Sequence, residues 1–369
     1  MVRVYDVSMR SRSNILLFTG IFLFWFIALI SKLKFNGLVY GLDFGLLHPD
    51  GKLYAFRTLT MLGKTELEAG QLVSNWYSMS AFKLNSFQPE SLFYEVHPLW
   101  QLYKPRVLYP LLSTPFVALL GPKGMLVIPA ISMLVLLLTI QIIGTKLENR
   151  IPAFIFAGLI SISPVVNRWM FANVTDGLLT AVTCLFLIAL LYLRNQNKFL
   201  LVVGAIITFG SFTRTSVLEW LSICVAIFLF KQKRNSLILG IVTVILFIPS
   251  AFRNLGEGIL PNEKSASSLQ IPFKFAESMV RVAFYEIAQL AVLDRLLLSL
   301  LVFCFIASVM RFSLKSSKLF LLVGLSLWVT GAVNGTVGVN FRYQLPILPF
   351  MAYILVESSN FKFWLKPKV

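Results

Sequence analysis

MLVIPAISMLVLLLTIQIIG, residues 125–144, is a run of twenty residues without a charge. Coiled into a helix it is about 30 Å long, which is the depth of bilayer hydrocarbon. Working outward from it, apolar runs recur at Asn14–Ser31 on one side and at Ile151–Pro164, Leu178–Leu193, Phe199–Phe212, Val217–Phe230, Leu237–Ser250, Leu296–Met310, Leu319–Val333 and Leu345–Val356 on the other. With 57% hydrophobic residues, 13% charged and a mean hydropathy of +0.79, the chain is too apolar to present a soluble surface. The expected fold is an all-α polytopic membrane protein with about ten transmembrane helices.

Asn14–Ser31 has a basic flank like a signal peptide, but it is long and aromatic and has no small-residue cleavage site before Lys32 and Lys34. It reads as a retained anchor. A further apolar stretch, Val107–Leu120, is short, carries Pro110 and Pro115, and follows Lys104 and Arg106. That pattern predicts an amphipathic helix lying on the membrane surface.

Charge tests this placement. With the N-terminus inside, the inner segments are residues 1–13, 145–150, 194–198, 231–236 and 311–318 and the tail, and each is net basic. They hold 16 Lys and Arg against 3 acids, whereas the outside holds 17 against 13. Short basic inner loops are the positive-inside pattern, and both termini are expected in the cytoplasm. A spanning Val107 helix would break the alternation. The net charge of +17 is thus a topology signal. Nucleic-acid binding is excluded because no basic stripe interleaves with aromatics.

The outer side receives a large first loop, residues 32–124, with juxtamembrane helices, a second long loop, residues 251–295, and short turns near Asn167, Arg214 and Arg342. Neither long loop has enough periodic apolar residues for a core of its own, so residues 1–369 read as a single integral membrane domain. Cys184, Cys224 and Cys304 sit in separate apolar runs without metal-ligand spacing, and they read as small apolar residues rather than a disulfide framework or zinc site.

Five outer segments place ionisable groups at the lipid boundary, where each costs free energy unless paired or used. The first is His48-Pro49-Asp50-Gly51-Lys52-Leu53-Tyr54. It is either a solvated Pro-Asp-Gly turn or a rigid mount for Asp50 as general base, with Asp43 the rival carboxylate. Lys104 and Arg106 precede the surface helix and either snorkel to lipid head groups or hold a phosphate. Asn167, Arg168, Asn173, Thr175 and Asp176 precede a span; Asp176 suits a helix cap, a ligand contact or a divalent cation. Thr213-Arg214, with Glu219 a little further on, is an ion pair or a phosphate clamp. Arg342-Tyr343, followed by Pro346 and Pro349, is unusual for a plain anchor.

Taken in order, these segments resemble the GT-C membrane glycosyltransferases that use polyprenyl-phosphate sugars, of the protein O-mannosyltransferase and aminoarabinose-transferase type. The resemblance spreads over most of the chain. It rests on an Asp in the first outer loop (Asp50), a basic residue before Tyr-Pro-Leu-Leu (Arg106 to Leu112), Ser163-Pro164 with Thr175-Asp176, Thr213-Arg214, and the Arg342 to Pro349 close. It implies an inverting transfer on the outer leaflet. Asp50 would take the proton of a glycan, lipid or protein acceptor. Arg342, Arg214 and Lys104 or Arg106 would neutralise the leaving phosphate. His48, Tyr54, Arg168, Asp176, Glu219 and Tyr343 would support them. The resemblance fixes no cofactor: family members differ over metal dependence, so Asp176 would either bind a divalent cation or only orient Arg168. The setting implied is the bacterial plasma (inner) membrane. The chain is short for the class and has no second acid adjacent to Asp50.

Three other readings remain open. A solute transporter or lipid flippase would bury ionisable groups at mid-span, yet these runs are nearly free of charge. An O-antigen polymerase or ligase would use arginines in late outer loops, and residues 251–295 are such a loop. A catalytically silent assembly partner is the third.

Overall fold

The computed structural model describes residues 15–32, 51–78, 106–213, 217–229, 233–257, 271–333 and 341–359. Over these it is helical, with no strand among the described residues. We number the helices in chain order: α1 (Ile15–Lys32), α2 (Lys52–Met61), α3 (Glu66–Ser78), α4 (Leu108–Leu120), α5 (Val127–Lys146), α6 (Arg150–Ile162), α7 (Pro164–Met170), α8 (Thr175–Tyr192), α9 (Gln196–Thr213), α10 (Val217–Leu229), α11 (Lys233–Glu257), α12 (Ile271–Leu293), α13 (Arg295–Met310), α14 (Lys315–Val333) and α15 (Leu348–Ser358). Every apolar run read from the sequence is occupied by helix, with ends shifted by a few residues.

Among the described residues, three stretches are long and apolar enough to cross a bilayer, Ile15–Lys32, Leu108–Lys146 and Thr175–Tyr192. The pair α6 and α7, bent by 75°, makes a fourth if it is one broken span. Arg234–Leu246, Arg295–Met310 and Leu345–Ser358 are apolar but shorter. A 13-residue helix such as α6 rises only about 20 Å, less than the hydrocarbon depth.

Leu108–Lys146 is not one straight rod. Gly121 has φ +60°, a left-handed conformation that glycine adopts without a Cβ penalty. Gly124 then lies so close to the backbone of Phe116 and Val117 that a Cβ there would come within 2.5 Å of it. The Tyr109 hydroxyl donates to the Met125 carbonyl at 2.5 Å, which sixteen residues of straight helix would forbid. α4 is thus a separate leg that folds back beside the start of α5. It buries Tyr109, Ser113 and Val117 and exposes Leu111, Leu112 and Leu119, so its outward face is apolar rather than polar.

One contiguous apolar cluster runs from Ile21 in α1 to Val356 in α15. Several of its buried hydroxyls bond within their own helices, as in Ser132 to the Ile128 carbonyl, Thr139 to Val135 and Thr183 to Leu179. Cross-helix bonds include Trp25 Nε1 donating to the Ala130 carbonyl at 2.8 Å and Asn149 Nδ2 donating to the Val356 carbonyl at 2.9 Å. The outside is apolar as well, with Leu16, Leu201, Leu237, Phe273 and Val292 all at least two-thirds exposed. An aqueous surface would penalise that belt, whereas lipid would not.

Candidate functional site at one end of the bundle

The site is built on the break between α6 and α7. Ser163 is extended (φ −63°, ψ 117°) and its Oγ caps α7 by accepting the Val166 amide at 3.1 Å. Pro164 fills the first helical position, where a missing N–H costs nothing. Asp294 fixes the bend from a distance of 131 positions: its Oδ2 accepts the Ser163 hydroxyl at 2.5 Å and the Val165 amide at 3.4 Å, while its Oδ1 caps α13 through the Leu297 amide at 2.9 Å. One buried carboxylate therefore ties two helix N-termini together. Asn167 Nδ2 donates to the Ser161 carbonyl at 2.7 Å and closes the end of α6.

α7 ends at Met170, and four irregular residues later α8 begins with Thr175 and Asp176. Asp176 is in the first turn of α8, where the helix dipole favours a negative charge. Its Oδ2 accepts Arg342 Nε at 2.8 Å, and both side chains are buried, 2% and 9% exposed. The partners are 166 positions apart. The Arg342 guanidinium also lies 5.1 Å from the Trp169 ring centre and 5.9 Å from that of Tyr343. Arg168 lies 5.2 Å from the same indole, so Trp169 serves two guanidinium groups. From α1, Lys32 Nζ donates to the Arg168 carbonyl at 3.2 Å.

Residues from α2 and from just before α4 reach the same place. Arg106 Nη1 donates to the Tyr54 hydroxyl at 3.1 Å, and that hydroxyl lies 3.3 Å from Thr175 Oγ1, next to Asp176. Tyr54 is buried edge-on against Tyr109 of α4, with ring centres 5.4 Å apart. Gly51 packs on the opposing loop so tightly that a Cβ would stand 1.9 Å from Asn173 Nδ2.

Arg342 is presented by a short turn, residues 341–344, in which Phe341 has φ +66°. The Phe341 amide donates to Glu286 Oε2 on α12 at 2.5 Å. Burial pushes the Glu286 carboxyl above its ordinary value, against the opposing pull of that amide.

The structure thus brings together Tyr54, Arg106, Arg168, Asp176, Arg342 and Tyr343, six of the residues picked from sequence. Asp43, His48, Asp50, Lys104 and Arg214 lie outside the described residues, and of Glu219 only the backbone is described. Asp176 is paired with Arg342, a pairing not considered from sequence. Sequence reasoning missed Lys32, Trp169, Glu286 and Asp294. An Asp directly before an apolar run is a cap signal that could have marked Asp294. Glu286 breaks the apolar stripe of Val282 and Leu290 at four-residue spacing, also a readable sign. Among the described residues no three His, Cys, Asp or Glu side chains group to hold a metal ion. Comparison with protein-family models, curated proteins and solved structures finds no match.

Proposed function

We propose that this chain is a membrane glycosyltransferase of the GT-C type, moving a sugar from a polyprenyl-phosphate donor to an acceptor on the extracytoplasmic side. The observation that carries the reading is the buried Arg342–Asp176 pair, joined through Thr175 and Tyr54 to Arg106 and through Trp169 to Arg168. Two buried charges are expensive to keep in an apolar bundle, and stability alone is often served as well by hydrophobic residues. A guanidinium fixed through Nε and lying on an indole is a rigid, always-charged plane suited to a phosphate.

In this reading about ten helices cross the bacterial plasma membrane with both termini inside, and the site opens to the outer leaflet. Asp50 is the base, directly before the Gly51 that packs on Asn173. Its carboxylate takes the acceptor's O–H or N–H proton as the freed electron pair attacks the sugar's anomeric carbon. The bond from that carbon to the phosphate oxygen breaks, the pair stays on oxygen, and polyprenyl phosphate leaves with the sugar inverted. Arg342, with Arg106, Lys104 and Arg214, stabilises the charge on the leaving oxygen; preorganised charge of this kind is usually the largest contribution to catalysis. Asp43 is the alternative base if Asp50 is silent.

The test is transfer by the full chain in nanodiscs from a panel of radiolabelled polyprenyl-phosphate sugars. Transfer by the wild type and its loss in Arg342→Ala and Asp50→Asn, at undiminished membrane levels, is expected. No transfer from any donor would move the weight to a transporter or a silent partner.

A further inference from the structure

We infer that Glu286 is a positioning residue that holds the Arg342 turn in its working conformation. This deepens the reading above, since the group positioned is its phosphate-facing arginine.

Phe341 has φ +66°, a left-handed conformation that costs a bulky residue free energy unless its surroundings enforce it. Burial of the Phe341 ring holds one side of the residue, and Glu286 Oε2 takes its amide at 2.5 Å on the other. Past Arg342, the Gln344 amide returns to the Phe341 carbonyl at 3.2 Å, and the Ile347 amide to the Gln344 carbonyl at 2.9 Å, leading into α15. Arg342 therefore leaves a turn whose first amide is bound by one carboxylate, and the direction of its side chain toward Asp176 follows from that bond.

The position of Glu286 is set independently of the turn. α12 is tied to α14 by Ser278 Oγ donating to the Ala332 carbonyl at 2.7 Å and by Trp328 Nε1 donating to the Met279 carbonyl at 3.0 Å. Glu286 then falls on the inward stripe with Val282 and Leu290, all buried. The outward face of the same helix exposes Val280, Phe284 and Ile287. A glutamate serving only solubility would sit on the exposed face; this one is 8% exposed, with Oε1 buried and without a hydrogen-bond partner. A desolvated, half-satisfied carboxylate is costly, and the strained amide is what it holds.

The experiment is hydrogen exchange of the full chain in nanodiscs, read at the amides of 341–344 and compared with those of α5. Glu286→Ala is expected to speed exchange at 341–344 by about tenfold or more and to leave α5 unchanged. Glu286→Gln keeps an acceptor oxygen without its charge, so a rise of about threefold is expected. If the Ala variant does not accumulate, the Gln variant carries the test. Unchanged exchange at 341–344 in the variant measured, or a rise shared equally by α5, overturns the proposal. In transfer assays Glu286→Ala should raise KM for the lipid donor and leave KM for the acceptor alone, with Glu286→Gln restoring most of the loss. Local exchange with no transfer from any donor by any form would leave the positioning role standing and sink the glycosyltransferase reading; transfer that Glu286→Ala leaves intact would sink the positioning role.

Discussion

At the scale of single residues, the chemistry of this end of the molecule turns on Arg342. Asp176 pairs with it where both side chains are buried, so removing either one breaks a buried ion pair. Asp176→Ala should cost about 3–5 kcal/mol, the usual penalty for breaking a buried pair. The check is thermal unfolding in detergent, and a change under about 1 kcal/mol would mean that the pair is solvated. Arg342→Lys keeps the charge but loses the planar fork and the contact with Trp169. It should lower kcat/KM for the lipid donor about 100-fold, the scale of losing one transition-state donor. Glu286 makes a prediction in pH. Its carboxyl is raised by burial, so the folded chain binds that proton more tightly than the unfolded chain. Its contribution is complete below the ordinary value of 4.5 and is lost as pH rises through the raised folded value. Across that mildly acidic interval the wild type should lose melting temperature relative to Glu286→Gln; parallel curves would contradict it.

At the scale of elements, hydropathy alone located the apolar helices but not α12 (Ile271–Leu293), which falls within the segment 251–295 read as a loop. The predicted Leu178–Leu193 is α8, and the predicted Leu296–Met310 is α13, because a run that must be apolar on all sides leaves an unambiguous trace. The capping box of α3 was equally written in the chain: Glu68 takes the Thr65 amide at 2.9 Å while Thr65 Oγ1 takes the Glu68 amide at 3.3 Å. The bend at Ser163 was only half legible. Ser-Pro announces a break, but its direction depends on Asp294, which lies 131 positions away. Asp294→Ala removes the cap of α13 and the carboxylate that holds the capping Ser163 of α7, a loss of about 2 kcal/mol if each is worth about 1. Hydrogen exchange in the first turns of both helices reads this directly, and faster exchange in α13 alone would show that the Ser163 bond carries nothing.

At the scale of the whole molecule, the sequence announced a set of polar segments on one side and could not say which of them touch. Arg106, Tyr54, Thr175, Asp176 and Arg342 come together because helices from both halves of the chain end in one place, and no local signal couples positions 166 apart. The orientation itself rests on charge. Cysteines substituted at Lys64 and at Asn195, in a background without the three native ones, should react with a membrane-impermeant maleimide in intact cells only at position 64. Labelling at 195 would invert the topology. The central claim is sugar transfer through this constellation, and the most direct measurement is transfer from radiolabelled polyprenyl-phosphate sugars by the purified chain, wild type beside Arg342→Ala and Asp50→Asn. The account predicts that one donor loses its label to acceptor with the wild type only; equal transfer by all three forms, or none by any across the panel, would contradict it.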